Sequence, residues 1–159
     1  MNRATMSDLP PFQRFVDEHR ADVWRFLIAA VGPGDAEDCF QETFLAALRS
    51  YPRLRSTRNL RGWILTIANH KAVDVHRRRA REPMPVPTVP ERPSRLGDNG
   101  DPELWRAVRE LPDKQRTAIA HRFASDLAYK DIAGAMSCTE EAARRNVHEG
   151  IKRLREVLA

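Results

Sequence analysis

The hydrophobic positions of the chain recur at helical spacing. Phe12, Phe15, Val16, His19, Val23, Phe26 and Leu27 trace one face of a first helix. Gly32-Pro33-Gly34 breaks it. Asp35 is placed to cap a second helix, with Asp38 three residues on in an approximate capping box. That helix carries Phe40, Phe44, Leu45 and Leu48 and ends near Tyr51-Pro52. After a basic stretch at 53–58, Asn59 can cap a third helix through Trp63, Ile64, Ile67, Ala68, Ala72 and Val75. It is apolar almost all round as far as Ala68, which predicts a buried first half. Its second half becomes a basic rod.

Residues 83–101 stand apart. They hold Pro83, Pro85, Pro87, Pro90 and Pro93, followed by Gly97, Asn99 and Gly100. Repeated proline removes backbone donors and forbids regular helix, so the stretch reads as a linker. In polyproline geometry its nineteen residues would reach up to roughly 60 Å. A tether without contacts of its own fits the composition equally well. Beyond it, Asp101-Pro102 is a good helix start, and Leu104, Trp105, Val108 and Leu111 form an apolar stripe. Leu111-Pro112 restarts the chain into a helix through Ile119 and Phe123. A short helix at about 128–136, the turn Ser137-Cys138-Thr139 and a long final helix complete the chain. No internal repeat or strand pattern stands out. The predicted fold class is all-α: two small helical domains, 1–82 and 102–159, joined by the Pro-rich linker 83–101.

Composition agrees, with aromatics at 7% of residues, seven glycines, and abundant Ala, Leu, Arg and Glu. The net charge of +5 fits a polyanionic partner, and its uneven spread says more. Asp35, Glu37, Asp38 and Glu42 fall in 35–42 without a Lys or Arg; Lys71, Arg77, Arg78, Arg79 and Arg81 fall in 71–81 against Asp74. A chain with one acidic and one basic segment suits a bridge between two different partners. Cys39 and Cys138 are far apart, outside any metal-like cluster, and read as plain thiols. Residues 1–11 lack the apolar core of a signal peptide, and the longest apolar run, 26–31, is far too short for a bilayer. A soluble, cytoplasmic protein is expected, with Met1 and Met6 both open as its start.

Residues 127–155 have the layout of a helix-turn-helix: short helix, three-residue turn, second helix opened by a hydroxyl cap. Thr139 is the cap candidate, and Glu140 and Glu141 suit the positive end of the helix dipole. Ala143, Val147, Ile151, Leu154 and Leu158 trace one face of the second helix; Arg144, Arg145, His148, Lys152 and Arg155 lie opposite. A recognition helix needs this division, with one stripe packed and the other free to enter a major groove. An amphipathic helix with a solvated basic face shares the same spacing.

Several of these segments resemble a known family. Asp35-Ala36-Glu37-Asp38-Cys39-Phe40-Gln41-Glu42-Thr43-Phe44 resembles the signature of region two in RNA polymerase sigma factors of the sigma-70 family. Asn59-Leu60-Arg61-Gly62-Trp63-Ile64, Ile67-Ala68, Ala72, Asp74 and the arginine run follow at the family's distances. Leu111-Pro112-Asp113-Lys114-Gln115-Arg116, Tyr129-Lys130-Asp131-Ile132-Ala133, His148 and Lys152-Arg153-Leu154-Arg155 resemble region four. With no room for other regions, the resemblance points to the extracytoplasmic-function (ECF) type.

The resemblance implies roles. Asp35, Glu37, Asp38, Gln41, Glu42 and Phe44 would dock on core RNA polymerase, although Asp35 and Asp38 also suit capping and Phe44 suits a core. Trp63, Asn69, His70, Lys71, Arg77, Arg78 and Arg79 would recognise and help open the downstream promoter element, with Trp63 as a buried anchor or a stacking platform. Opening needs a cationic track and a pocket for an unstacked base. Asp74 is placed to neutralise part of that track. Thr139, Arg144, Arg145, His148 and Lys152 would grip the upstream element of promoter DNA. Departures from the pattern are His70 at a usual Asn position, a turn without the frequent Gly, and Glu141-Ala142-Ala143-Arg144-Arg145-Asn146 in the recognition helix.

A stand-alone helix-turn-helix regulator would leave the acidic segment and the first domain unexplained. An enzyme would need machinery with no counterpart here, such as a Gly-rich phosphate loop or a nucleophile elbow. Glu37, Asp38, Glu42, His70 and His76 are better read through capping, docking and charge than as a metal site. The expectation is a non-enzyme without metal or cofactor. With no fused sensor domain read in the sequence, control by expression level or by a separate anti-sigma factor is expected.

Overall fold

The computed structural model describes residues 9–81 and 101–159; the linker at 83–101 lies outside the described residues except for Asp101. The described residues are almost wholly helical and contain no strand. In order they form α1 (Phe12–Val31), α2 (Pro33–Ser50), a 3-10 turn (Tyr51–Arg53), α3 (Leu60–Arg81), α4 (Pro102–Arg109), α5 (Asp113–Ile119), a π-helical turn (Ala120–Ala124), α6 (Tyr129–Met136) and α7 (Glu140–Leu158).

Local chemistry sets most boundaries. Asn59 caps α3, its Oδ1 accepting from the Gly62 amide at 3.0 Å. Asp101 accepts from the Glu103 amide at 2.9 Å, ahead of Pro102 at the first helical position of α4. Thr139 caps α7 by accepting from the Ala142 amide at 3.0 Å. The start of α2 departs from expectation. Gly32, at φ +86°, is the N-cap and Pro33 opens the helix. Proline spares an amide that would have no helical partner, so α2 begins before Asp35 and the carboxylate lies within its first turn. Arg79 of α3 takes that carboxylate instead.

α1, α2 and α3 pack into a three-helix unit. Phe15, Phe26, Leu27, Ile64 and Leu65 are fully buried in it. Phe12, Phe15, Phe44, Tyr51 and Trp63 form an aromatic cluster, with Phe15 and Trp63 centroids 5.7 Å apart. The second half builds its core from Trp105, Val108, Leu111, Ile119, Ile132, Ala143 and Val147. Gly150 lets α7 close on α5, since a Cβ there would stand 2.5 Å from Ile119 Cδ1. Four apolar positions assigned to helix faces lie outside both cores: Leu45 (53% exposed), Leu48 (50%), Phe123 (55%) and Leu158 (42%). Phe123 follows from the π turn, whose wider winding shifts the register after Ile119. His121 faces inward and Phe123 outward.

The two halves share an interface. α1 packs on α4, α5 and the π turn, and α3 packs on α6. The buried residues of both halves form one continuous cluster.

Candidate nucleic-acid interface

α3 carries the residues expected to meet the downstream element, and the fold divides them. Ile64, Leu65, Ala68, Ala72 and Val75 pin the helix to its own unit. Trp63 is half-buried in the aromatic cluster. His70, Arg77 and Arg78 are exposed and Lys71 half-exposed, a discontinuous cationic track. Asn69 is only 5% exposed, and its Oδ1 meets His121 Nε2 at 3.0 Å. Arg79 donates to the Val31 carbonyl at 2.7 Å and pairs with Asp35, so one residue expected on DNA is tied to one expected on polymerase. The neutralisation expected of Asp74 is absent from the ion pairs among the described residues. His76 points inward, with Nε2 2.9 Å from the Ala30 carbonyl. Burial lowers its pKa against that bond, and it does not join His70 on the surface.

α6 and α7 make the helix-turn-helix. Ser137 occupies the left-handed position at φ 54°, which glycine would fill without strain. Ala143 and Val147 are buried, while Arg144, Arg145, His148 and Lys152 stand together on the exposed face. The Arg144 guanidinium lies 5.1 Å from the Tyr129 ring centroid and 3.8 Å from Glu140, which steadies it before any ligand arrives. Thr139 serves as cap.

On α2, Glu37, Asp38, Gln41 and Glu42 are exposed and Phe44 is buried. Phe44 stacks obliquely on Phe40, centroids 4.9 Å apart, and works from within. Glu37, Gln41, Leu45 and Leu48 recur at helical spacing, so the exposed leucines extend an acidic and amide face into an apolar one. Sequence reading placed those leucines on the helix without assigning them a face, because spacing alone does not separate a buried stripe from a partner-facing one. Burial pushes the Cys39 thiol up to about 11, with Asp35 and Glu42 adding to the shift. Sequence reading also passed over His121, whose contacts come from residues distant in sequence.

Comparison with known proteins matches this geometry. The family model described as sigma-70 region 2 matches residues 15–82, and that described as sigma-70, region 4, matches residues 102–154. A probable RNA polymerase sigma-C factor of Mycobacterium bovis is 33% identical over 144 residues, covering 85% of this chain and 76% of that protein. The RNA polymerase sigma factor CarQ of Myxococcus xanthus is 30% identical, covering 92% of this chain and 88% of that one. The sigma factor RpoE of Bartonella quintana, solved in complex with the anti-sigma factor NepR, superposes with a TM-score of 0.80 at 25% identity. That superposition covers 92% of this chain and 96% of that one, so it takes in both halves. The chain therefore belongs to the sigma-70 family, as an RNA polymerase sigma factor of the ECF type that directs promoter-specific transcription.

Proposed function

We propose that the halves divide the work of initiation, the first docking on core RNA polymerase and reading the downstream element, the second reading the upstream element. The observation that carries this reading is the segregation of chemistry onto three separate helices. Glu37, Asp38, Gln41 and Glu42, with Leu45 and Leu48 beside them, suit a basic and partly apolar polymerase surface. His70, Lys71, Arg77 and Arg78 suit the phosphates of an opened strand. Arg144, Arg145, His148 and Lys152 suit a major groove, where arginine grips phosphate or makes a two-pronged bond to guanine. Residues 83–101 would join the halves as a spacer.

The role is binding rather than catalysis. No helix among the described residues is long and apolar enough to cross a membrane, and polymerase and promoter would place the protein in the cytoplasm. The NepR complex of the Bartonella quintana relative supports an anti-sigma factor as a further partner of this chain.

Co-purification with bacterial core RNA polymerase tests the reading. The native chain should bind stoichiometrically, and a variant with Asp38→Ala and Glu42→Ala should lose most of that binding while melting at the native temperature. A folded native chain that failed to bind core polymerase would sink the assignment.

A further inference from the structure

Tyr129 opens α6, the first helix of the helix-turn-helix. It is half-buried, its ring packed against the continuous core. Two guanidiniums lie over that ring: Arg122 of the π turn, 4.4 Å from the centroid, and Arg144 of α7, 5.1 Å from it. Arg122 Nη1 also donates to the Leu127 carbonyl at 3.0 Å. The ring is therefore fixed by core packing and by a tethered cation, and it in turn holds a cation of the reading helix.

The other restraint on Arg144 is Glu140, one turn back, at 3.8 Å between side chains that are 61% and 48% exposed. An ion pair so open to water orients its partners weakly. Arg145, the next residue on the same exposed face, makes no ion pair and no ring contact among the described residues. Two neighbouring arginines thus differ in how far they are set before any ligand arrives.

That difference bears on what each can read. A two-pronged bond to guanine O6 and N7 fixes both the plane and the direction of the guanidinium. A phosphate accepts a cation from many approaches. An arginine loses side-chain freedom when it is fixed, and one already held loses less on binding. A guanidinium over a ring spends its face and keeps its in-plane donors for a base edge. Tyr129 also lines, with Arg144, Arg145 and His148, an open recess of about 450 Å³. Direct contact of its hydroxyl with DNA is therefore the rival account.

We propose that Tyr129 is a positioning residue for promoter choice: its ring holds Arg144 in the orientation that a two-pronged bond to guanine requires, while Arg145 supplies a phosphate contact. This rests on the reading that places Arg144 on the upstream element.

The test uses the full chain assembled with core polymerase, each variant first checked by thermal melting. A duplex library randomised over the upstream element yields the site that the native assembly selects. Fluorescence anisotropy then measures affinity for that duplex and for each single-base replacement. It also measures copies carrying 7-deazaguanine, which lacks the N7 acceptor, at one guanine at a time. Arg144→Ala should erase the preference at one guanine. Tyr129→Leu should weaken the preference at that same guanine by about two- to fivefold, with the salt slope unchanged. It should add nothing in the Arg144→Ala background. Tyr129→Phe, which keeps the ring and drops the hydroxyl, should behave as native. Arg145→Ala should weaken binding evenly across sequences and lower the salt slope by about 1. Native preference in Tyr129→Leu would overturn the proposal, as would a Tyr129→Phe variant that loses as much as Tyr129→Leu. So would a Tyr129→Leu effect that survives removal of Arg144, or an Arg145→Ala variant that erases the same preference. An Arg144→Ala assembly with native preference at every position would instead overturn the upstream-element reading of that residue, and the positioning role with it.

Discussion

His121 concentrates the energetics of the interface between the halves in one side chain. Burial pushes its pKa down to about 3, below the ordinary value near 6.5. A histidine with a depressed folded-state pKa contributes stability that is fully present above the unfolded pKa and is lost as pH falls towards the folded one. Protonation would put a second donor on Nδ1, where the protein offers no acceptor. His76 shifts in the same direction through burial. Contact between the halves should therefore weaken between pH 6.5 and 4.5, read as expansion in small-angle scattering before helicity is lost. A His121→Gln variant, which keeps a donor but does not titrate, should flatten that profile. An unchanged profile would remove His121 from the pH response.

At the scale of elements, α2 and α7 present two faces each, and the free face carries the residues proposed to meet polymerase and DNA. Leu45→Ala with Leu48→Ala should change stability by no more than about 0.5 kcal/mol each, as exposed substitutions do. It should weaken core polymerase binding by about tenfold, a step of roughly 1.4 kcal/mol; unchanged affinity in a pull-down titration would clear these leucines of a docking role. Element boundaries were largely legible in the sequence because Asn59, Asp101 and Thr139 act on amides two or three residues away. Asp35 was misplaced as a cap because Pro33 opens the helix earlier. Gly150 was invisible as a packing position, since its contribution is the side chain it lacks. The Asn69–His121 contact spans 52 residues of sequence and has no local signature. The charged faces of the candidate site were legible from spacing; the burial of Asn69 between the halves was not.

For the whole molecule, the cationic residues of both halves should make DNA binding fall steeply with salt. Each phosphate contact contributes a slope of about 0.9 in log affinity against log salt. Arg144→Ala with Arg145→Ala should weaken promoter binding by the polymerase complex and reduce that slope by up to about 2, leaving assembly with core polymerase intact. A native slope in the double variant would remove α7 from the contact. The exposed basic faces also bear on where the protein spends its time. A genome offers roughly 10⁶–10⁹ competing non-specific sites, and a basic chain with open DNA-binding faces would be sequestered among them. The number of molecules available to polymerase then depends on how much bare chromosome lies within reach as well as on how many are synthesised.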